Sequence, residues 1–377
     1  MGPGPSTVPP SVLAALGAPV IGHLDPMFLR CLDESRSMLR TVLGTENELT
    51  LPMSGTGSLG METCIGNLVE PGDRVLVGVH GVFGERMAEV ARRAGAEVVT
   101  AESPWGRALD TAALQKAAGR RKFKLICAVH AETSTGALTP IAPLRAIADE
   151  LGALLLIDAV TSVGGLDISM DAHGIDALYS GTQKCLSCPP GLAPVSFSAR
   201  ARAAMDQRKT KVSSWYADLR LIARYWGGER LYHHTAPISM LYGLHEALRI
   251  TLVEGLPARY ARHARLSRAL GLGLEALGLR LPVPLEERLP PLTLVEVPAG
   301  IDEAKLRGQL LSRFGLEIGA GIGAFKGRAL RIGLMGESCT PRNVLLCLAA
   351  LQTLLREAGH RAPADPVAAA MDALPPS

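Results

Sequence analysis

The 377-residue sequence predicts an α/β protein: a large domain with a mostly parallel sheet wrapped by helices, then a smaller C-terminal α+β domain. Three observations predict it. From Arg74 to Ile157, short apolar runs alternate with helix-length amphipathic stretches, the pattern of successive βαβ units. Polar residues with chemistry recur in the turns after those runs, the edge where open α/β sheets carry their sites. Prolines at 282, 284, 290 and 291 then interrupt the chain before a compact second set of strands and helices.

Composition narrows the function. The chain is 47% hydrophobic and 20% charged, which suits packed globular domains rather than disorder. Its 39 basic and 36 acidic residues leave a net charge of +3 with no basic run, so nucleic acid is not an expected partner. No apolar run reaches the ~20 residues of a membrane helix, and no membrane association is expected. The 7 cysteines sit mostly inside apolar runs. Cys185 and Cys188 form a C-x-x-C without a second pair or a nearby histidine, so no metal is expected. An odd cysteine count without a signal peptide fits a cytoplasmic location.

Residues 1–20 are proline-rich and read as an extended segment, not a helix, which is either a disordered terminus or an arm laid across a partner or an active-site mouth. Pro26 to Leu43 has helical spacing. Leu49–Pro52 leads into Ser54-Gly55-Thr56-Gly57-Ser58, a glycine-rich turn before a helix. Such a turn offers free N–H groups and a positive dipole end to a phosphate, with Thr56 and Ser58 as hydroxyl donors. Gly55, Gly57 and Gly60 also spell the literal G-x-G-x-x-G of dinucleotide binding. That reading needs an acid at the end of the next strand. Strand Arg74–Val79 ends instead in His80-Gly81, which disfavours it.

The alternation continues through helix Phe83–Ala94, strand Glu97–Thr100, helix Asp110–Ala118, strand Lys124–Val129, helix Pro143–Leu151, and strands Ala153–Ile157 and Ile175–Tyr179. Residues 213–235 hold five of the nine Trp and Tyr residues and read as a loop-rich interface or substrate mouth. Pro237–Leu252 and Ala258–Leu277 are long helical patterns. Strand Thr293–Val297, helix Asp302–Phe314, strand Leu330–Gly333 and helix Pro341–Leu355 complete the smaller domain. The expected division is an arm (1–20), a large domain (21–255), a small domain (256–360) and a flexible Pro/Ala-rich tail (361–377).

The candidate site centres on Lys184, which follows one buried strand, and Asp158, which ends the strand before it, 26 residues earlier. Alone, each is an ordinary loop lysine or N-capping aspartate. Together at one sheet rim they are what a pyridoxal phosphate enzyme needs. A primary amine holds the aldehyde as a Schiff base and then acts as a base, and a carboxylate keeps the pyridine nitrogen protonated. Phe83 offers a ring for stacking or a core contact. Thr133 offers a hydrogen bond to the cofactor ring or a helix cap. Tyr232 to Thr235 carry donors suited to a phosphate. Arg331, a cation in an apolar strand, suits a substrate carboxylate or a structural ion pair.

Taken with their order and spacing, Gly2-Pro3-Gly4-Pro5-Ser6, Ser54-Gly55-Thr56-Gly57, Glu132-Thr133-Ser134-Thr135-Gly136, Ser180-Gly181-Thr182-Gln183-Lys184, Tyr232-His233-His234-Thr235 and Leu330-Arg331-Ile332-Gly333 make the chain resemble class V aminotransferases of the alanine–glyoxylate and serine–pyruvate branch. The resemblance implies a fold-type I pyridoxal phosphate transferase with a seven-stranded sheet. It implies Lys184 as the Schiff-base lysine and Asp158 at the pyridine nitrogen. Thr56, Gly57, Ser58 and Gln183 would hold the phosphate, Phe83 and Thr133 the ring, and Arg331 the substrate carboxylate. Tyr232 and Thr235 would reach the phosphate of a neighbouring subunit, making a homodimer with shared sites, and the arm would cross onto that subunit. Phe83 departs from the tryptophan of the best-known eukaryotic members, and Ser58 from a bulkier residue. The implied activity is ping-pong transamination between alanine or serine and glyoxylate or pyruvate. Alternatives are (S)-ureidoglycine–glyoxylate transamination and a cysteine desulfurase-like lyase. The latter lacks its cysteine in the loop before Arg331, since Cys339 follows it.

Overall fold

The computed structural model describes residues 1–374. Seven strands build the central sheet: β1 Leu49–Ser54, β2 Arg74–Val79, β3 Glu97–Glu102, β4 Leu125–Val129, β5 Leu154–Asp158, β6 Ala177–Tyr179 and β7 Leu192–Phe197. Their spatial order is β1-β7-β6-β5-β4-β2-β3. Strands β2 to β6 run parallel, and β7 lies antiparallel between β6 and β1. β4 and β5 are buried at every position, as strands covered by helices on both faces must be.

The sequence reading missed β7 because Pro194 interrupts its apolar run, and proline argues against a central strand. In the sheet Pro194 stands opposite Pro52 of β1, so both missing donors fall at one rung of the ladder. The Pro194 carbonyl still serves β6, accepting from the Ser180 amide at 2.8 Å.

Two further expectations are corrected. The arm is not extended throughout, because Pro10–Leu16 form helix α1. Pro10 occupies its first position, where the missing N–H has no intrahelical partner to lose. Val12 is buried where α1 packs on helix Ile238–Glu254. The tail is not loose up to residue 374 either. Pro366–Met371 are helical, capped by the Asp365 side chain, and pack on helices Leu256–Ala276 and Pro341–Glu357 with Ala370 buried. An Asp-Pro start followed by alanines is a helix signal that proline content concealed. The tail's last residues, 375–377, lie outside the described residues.

Helix α2 spans Pro26–Leu43, α3 Gly57–Leu68 and α4 Val82–Arg93, and these with later helices cover the sheet. A second apolar core joins helices Leu256–Ala276 and Pro341–Glu357 to a small sheet of β8 Leu292–Glu296, β9 Gly319–Ala320 and β10 Ala329–Gly333, ordered β8-β10-β9. Arg259 ties the two parts together behind the site. Its buried guanidinium donates to the Gly164 carbonyl at 2.7 Å and the Cys185 carbonyl at 2.5 Å, and pairs with Glu254 at 2.6 Å. Its neighbour Arg262 donates to the Gly336 and Cys339 carbonyls at 3.0 and 2.6 Å. The turn after Lys184 is thereby fixed to the loop after β10. Among the described residues no helix is long and apolar enough to cross a membrane.

Candidate active site

Because β1 to β6 share one direction, their carboxyl ends lie on one rim. Asp158 closes β5, and its neighbour in register on β6 is Tyr179. Asp158 is 3% exposed. Its Oδ2 accepts from the Tyr179 hydroxyl at 2.6 Å and its Oδ1 from the Val160 amide at 2.9 Å. Burial pushes the carboxyl up to about 6, while the Tyr179 hydroxyl, the Val160 amide and the Lys184 charge pull it down. An acid with both oxygens held by donors is an oriented anion, not a flexible surface carboxylate.

Lys184 follows β6 in the turn 180–184 and is 9% exposed. Its ammonium donates to the Pro3 carbonyl. Burial first, and then the Arg331 charge, lower the amine from 10.5 to about 8. Below that pH it is an ammonium without a lone pair; above it, a nucleophile. The rate at which cofactor-free protein takes up pyridoxal phosphate is therefore expected to rise with pH and level off above about 8. Stopped-flow absorbance would check this. A rate still climbing steeply near an ordinary lysine's pKa of about 10.4 would contradict it.

The residues expected at a phosphate stand beside this pair. Thr56 begins α3 without a side-chain cap, and the Thr56 and Ser58 side chains are exposed. The helix start is thus open to an anion. Gln183 carries a buried amide oxygen with no partner. Oxygen and nitrogen of such an amide are interchangeable by a flip, so the group suits a ligand rather than the protein. This orphaned amide, the open helix start and the oriented Asp158 fit pyridoxal phosphate.

Phe83 is half-buried at the start of α4, with the Arg86 guanidinium 5.1 Å from its ring centroid. Thr133 is buried, and its carbonyl accepts from Arg331 Nη1 at 3.1 Å. Arg331 Nε donates to the Ala320 carbonyl at 2.7 Å. Among the described residues Arg331 makes no ion pair; its partners are carbonyls, which leaves its charge for a carboxylate. Tyr232 and Thr235 stand apart from this group. Their side chains are exposed, with Tyr232 Oη 3.3 Å from Thr235 Oγ1. Their neighbour His234 reaches Ser54, with Nε2 2.9 Å from Oγ.

The aromatic stretch splits. Tyr225 and Trp226 are buried in a helix, Leu219–Trp226, that the loop-rich reading missed, whereas Trp215 and Tyr232 are each 60% exposed. Cys185 and Cys188 are both buried. Among the described residues no three His, Cys, Asp or Glu side chains stand together as metal ligands.

Three features of the site were not read from sequence. From sequence Tyr179 is only the end of an apolar strand, and its register opposite Asp158 is its signal. Glu132 was quoted in a motif without a role. It is fully buried and accepts from the Phe83 amide at 3.2 Å. Residues 1–6 lie over the chain's own Lys184, where the resemblance had placed the arm on a neighbouring subunit. The Ser6 amide and hydroxyl donate to the Gln183 and Lys184 carbonyls at 2.8 and 2.6 Å, and Gly333 N donates to Met1 O at 2.8 Å. Gly4 has φ +106°, and a Cβ there would lie 2.6 Å from Lys184 Nζ, so this contact requires glycine. Prolines and glycines spell an arm and leave open a partner or an active-site mouth beneath it; residues 1–6 cover the latter.

A sheet rim carrying a buried lysine and an oriented aspartate, with an arginine of the second sheet that makes no ion pair among the described residues, is the arrangement of a fold-type I pyridoxal phosphate enzyme. The chain belongs to the class-V aminotransferase family, whose profile matches residues 5–325, and it is a pyridoxal phosphate-dependent aminotransferase. It is 38% identical over 373 residues to an (S)-ureidoglycine–glyoxylate transaminase of Bacillus subtilis, covering 94% of this chain and 90% of that one. It is 40% identical over 360 residues to an alanine–glyoxylate aminotransferase of Callithrix jacchus, covering 94% and 87%. A solved alanine–glyoxylate aminotransferase from Nostoc sp. superposes with a TM-score of 0.92 at 46% identity, covering 94% of each chain.

Proposed function

We propose that this aminotransferase moves an amino group from alanine or serine to glyoxylate or pyruvate by alternating half-reactions, with Lys184 as the residue that holds the cofactor covalently. The observation that carries the reading is the placement of Asp158 at the end of β5 and Lys184 in the turn after the adjacent parallel strand β6, both buried, with an arginine that takes no carboxylate from the described residues.

Bound pyridoxal phosphate supplies an electron sink for the pair left when the donor's Cα–H bond breaks. Lys184 would carry the proton away from the donor's Cα, and its lowered pKa makes the neutral amine available near neutral pH. Asp158, oriented by Tyr179 and Val160, would hold a negative charge at the ring nitrogen. Thr56, Gly57, Ser58 and Gln183 would hold the phosphate, Phe83 would stack on the ring, and Thr133 would contact its side. Arg331 takes the substrate carboxylate as a bidentate pair.

The working unit is a homodimer in which Tyr232 and Thr235 reach the phosphate of a second copy. The exposure of Tyr232 and Trp215, of Val20 at 69% and of Met27 at 63% supports this, since aromatic and apolar side chains are enriched where copies of a chain meet. Full activity from a sedimenting monomer would contradict it.

The small substrates are supported by the alanine–glyoxylate relatives. (S)-Ureidoglycine as donor is a second reading, supported by the Bacillus subtilis relative. A desulfurase-like lyase finds no support: Cys339 is 0% exposed in the turn after β10. The test is the absorbance spectrum of the purified protein with L-alanine, L-serine, ureidoglycine and glyoxylate added separately. The expected result is a visible band that collapses with alanine or serine and returns with glyoxylate. A band that collapses only with ureidoglycine selects the second reading, and one that responds to no donor contradicts both.

A further inference from the structure

Glu132 is a carboxylate with 0% exposure, and burial first, then the charge of a second buried carboxylate, Asp158, push it up to about 7 against the Ser134 hydrogen bonds that pull it down. Such a group persists only where its hydrogen bonds require it. Its Oε1 accepts from the Ser134 amide at 3.0 Å and from the Ser134 hydroxyl at 2.5 Å. Its Oε2 accepts from the Phe83 amide at 3.2 Å. The Ser134 hydroxyl accepts in turn from the Val82 amide at 3.1 Å.

Val82 and Phe83 are the first two residues of α4, and Gly81 before them provides no side-chain cap. The cap comes instead from a separate loop, 49 residues along the chain. Gly81 permits this approach, because a Cβ there would lie 2.5 Å from Glu132 Cγ and Cδ. Every one of these partners is a donor, and an ionised carboxylate is the side chain that accepts from all of them. The same loop reaches the other side of the site. Thr133, the next residue, accepts from Arg331, and the Glu132 charge offsets the burial of that guanidinium.

We propose that Glu132 is a positioning residue that fixes the Phe83 ring and the Arg331 guanidinium relative to each other, so that one buried carboxylate sets both the cofactor's stacking partner and the substrate's carboxylate site. This rests on the roles given above to Phe83 and Arg331. A local cap would anchor α4 alone; a cap borne on the loop that also holds Arg331 makes the two move together. Loss of the Glu132 acceptor leaves the Phe83 amide unpaired at one end of that loop and removes the charge that favours the buried Arg331 guanidinium at the other.

The test compares wild type with Glu132→Gln, which keeps the volume but turns one acceptor into a donor, and with the milder Ser134→Ala. Cofactor-free protein is titrated with pyridoxal phosphate, and the visible circular dichroism of the bound cofactor is recorded. Propionate, a carboxylate without an amine, is then titrated against the cofactor's absorbance. Losing a hydrogen bond to a charged group is worth about a 10- to 100-fold change in binding. In Glu132→Gln both dissociation constants are expected to rise about 10-fold or more, with a weakened dichroic band. In Ser134→Ala both are expected to rise in the same proportion to each other, by less. A lower melting temperature with both constants within about twofold of wild type would make Glu132 a structural cap only and overturn the proposal. Movement of one constant without the other would overturn the coupling. Neither titration requires turnover, so failure of the alanine or serine reading would show separately, as wild-type protein inert to those donors.

Discussion

Lys184→Ala is expected to lose the visible band of lysine-bound cofactor and to cut transamination by about 10⁴-fold or more, because one amine acts both as covalent anchor and as proton carrier. The loss should be chemical and not structural. The amine is buried, and burial holds its pKa at about 8, so below that pH the folded protein carries a cation it would shed more readily than the unfolded chain does. Removing it relieves that cost, although the Pro3 carbonyl loses its donor. The cofactor-free variant should therefore melt at or above the wild-type temperature at neutral pH while remaining inactive. Added small primary amines should return part of the proton-transfer rate. Full activity in Lys184→Ala without added amine would end the assignment.

Asp158→Asn is expected to keep the fold and lower kcat by about 100-fold or more, with a smaller effect on KM. Asparagine retains an acceptor for the Tyr179 hydroxyl or the Val160 amide but loses the charge. The wild-type profile should also show an acid limb at or below about pH 6, where Asp158 takes up a proton and its charge disappears. The sign follows from the group: activity needs the anion, so it falls as pH falls through that value. In Asp158→Asn this limb should be gone. A kcat within about threefold of wild type would show that no charge is needed at this position.

Much of this site was legible because its chemistry is written in residue types at strand ends. The apolar runs before Asp158 and Lys184 announced two strands, and their parallel pairing put both residues on one rim. Arg331 was legible as a cation where a strand should be apolar. What escaped the sequence depends on register and on distant contacts. Tyr179 looks like core until its position opposite Asp158 is known. Glu132 acts on a helix whose start lies far from it in sequence. β7 was hidden by Pro194, whose lost donor is harmless only because Pro52 faces it. At both ends of the chain proline argues against a helix, yet Pro10 and Pro366 each begin one.

The most direct test of the central assignment is borohydride reduction of the purified enzyme, followed by proteolysis and peptide mass mapping. The predicted result is a stable pyridoxyl phosphate adduct on the peptide containing Lys184, formed before but not after exposure to excess amino donor. An adduct on a different lysine, or none on a protein that transaminates, would contradict the account.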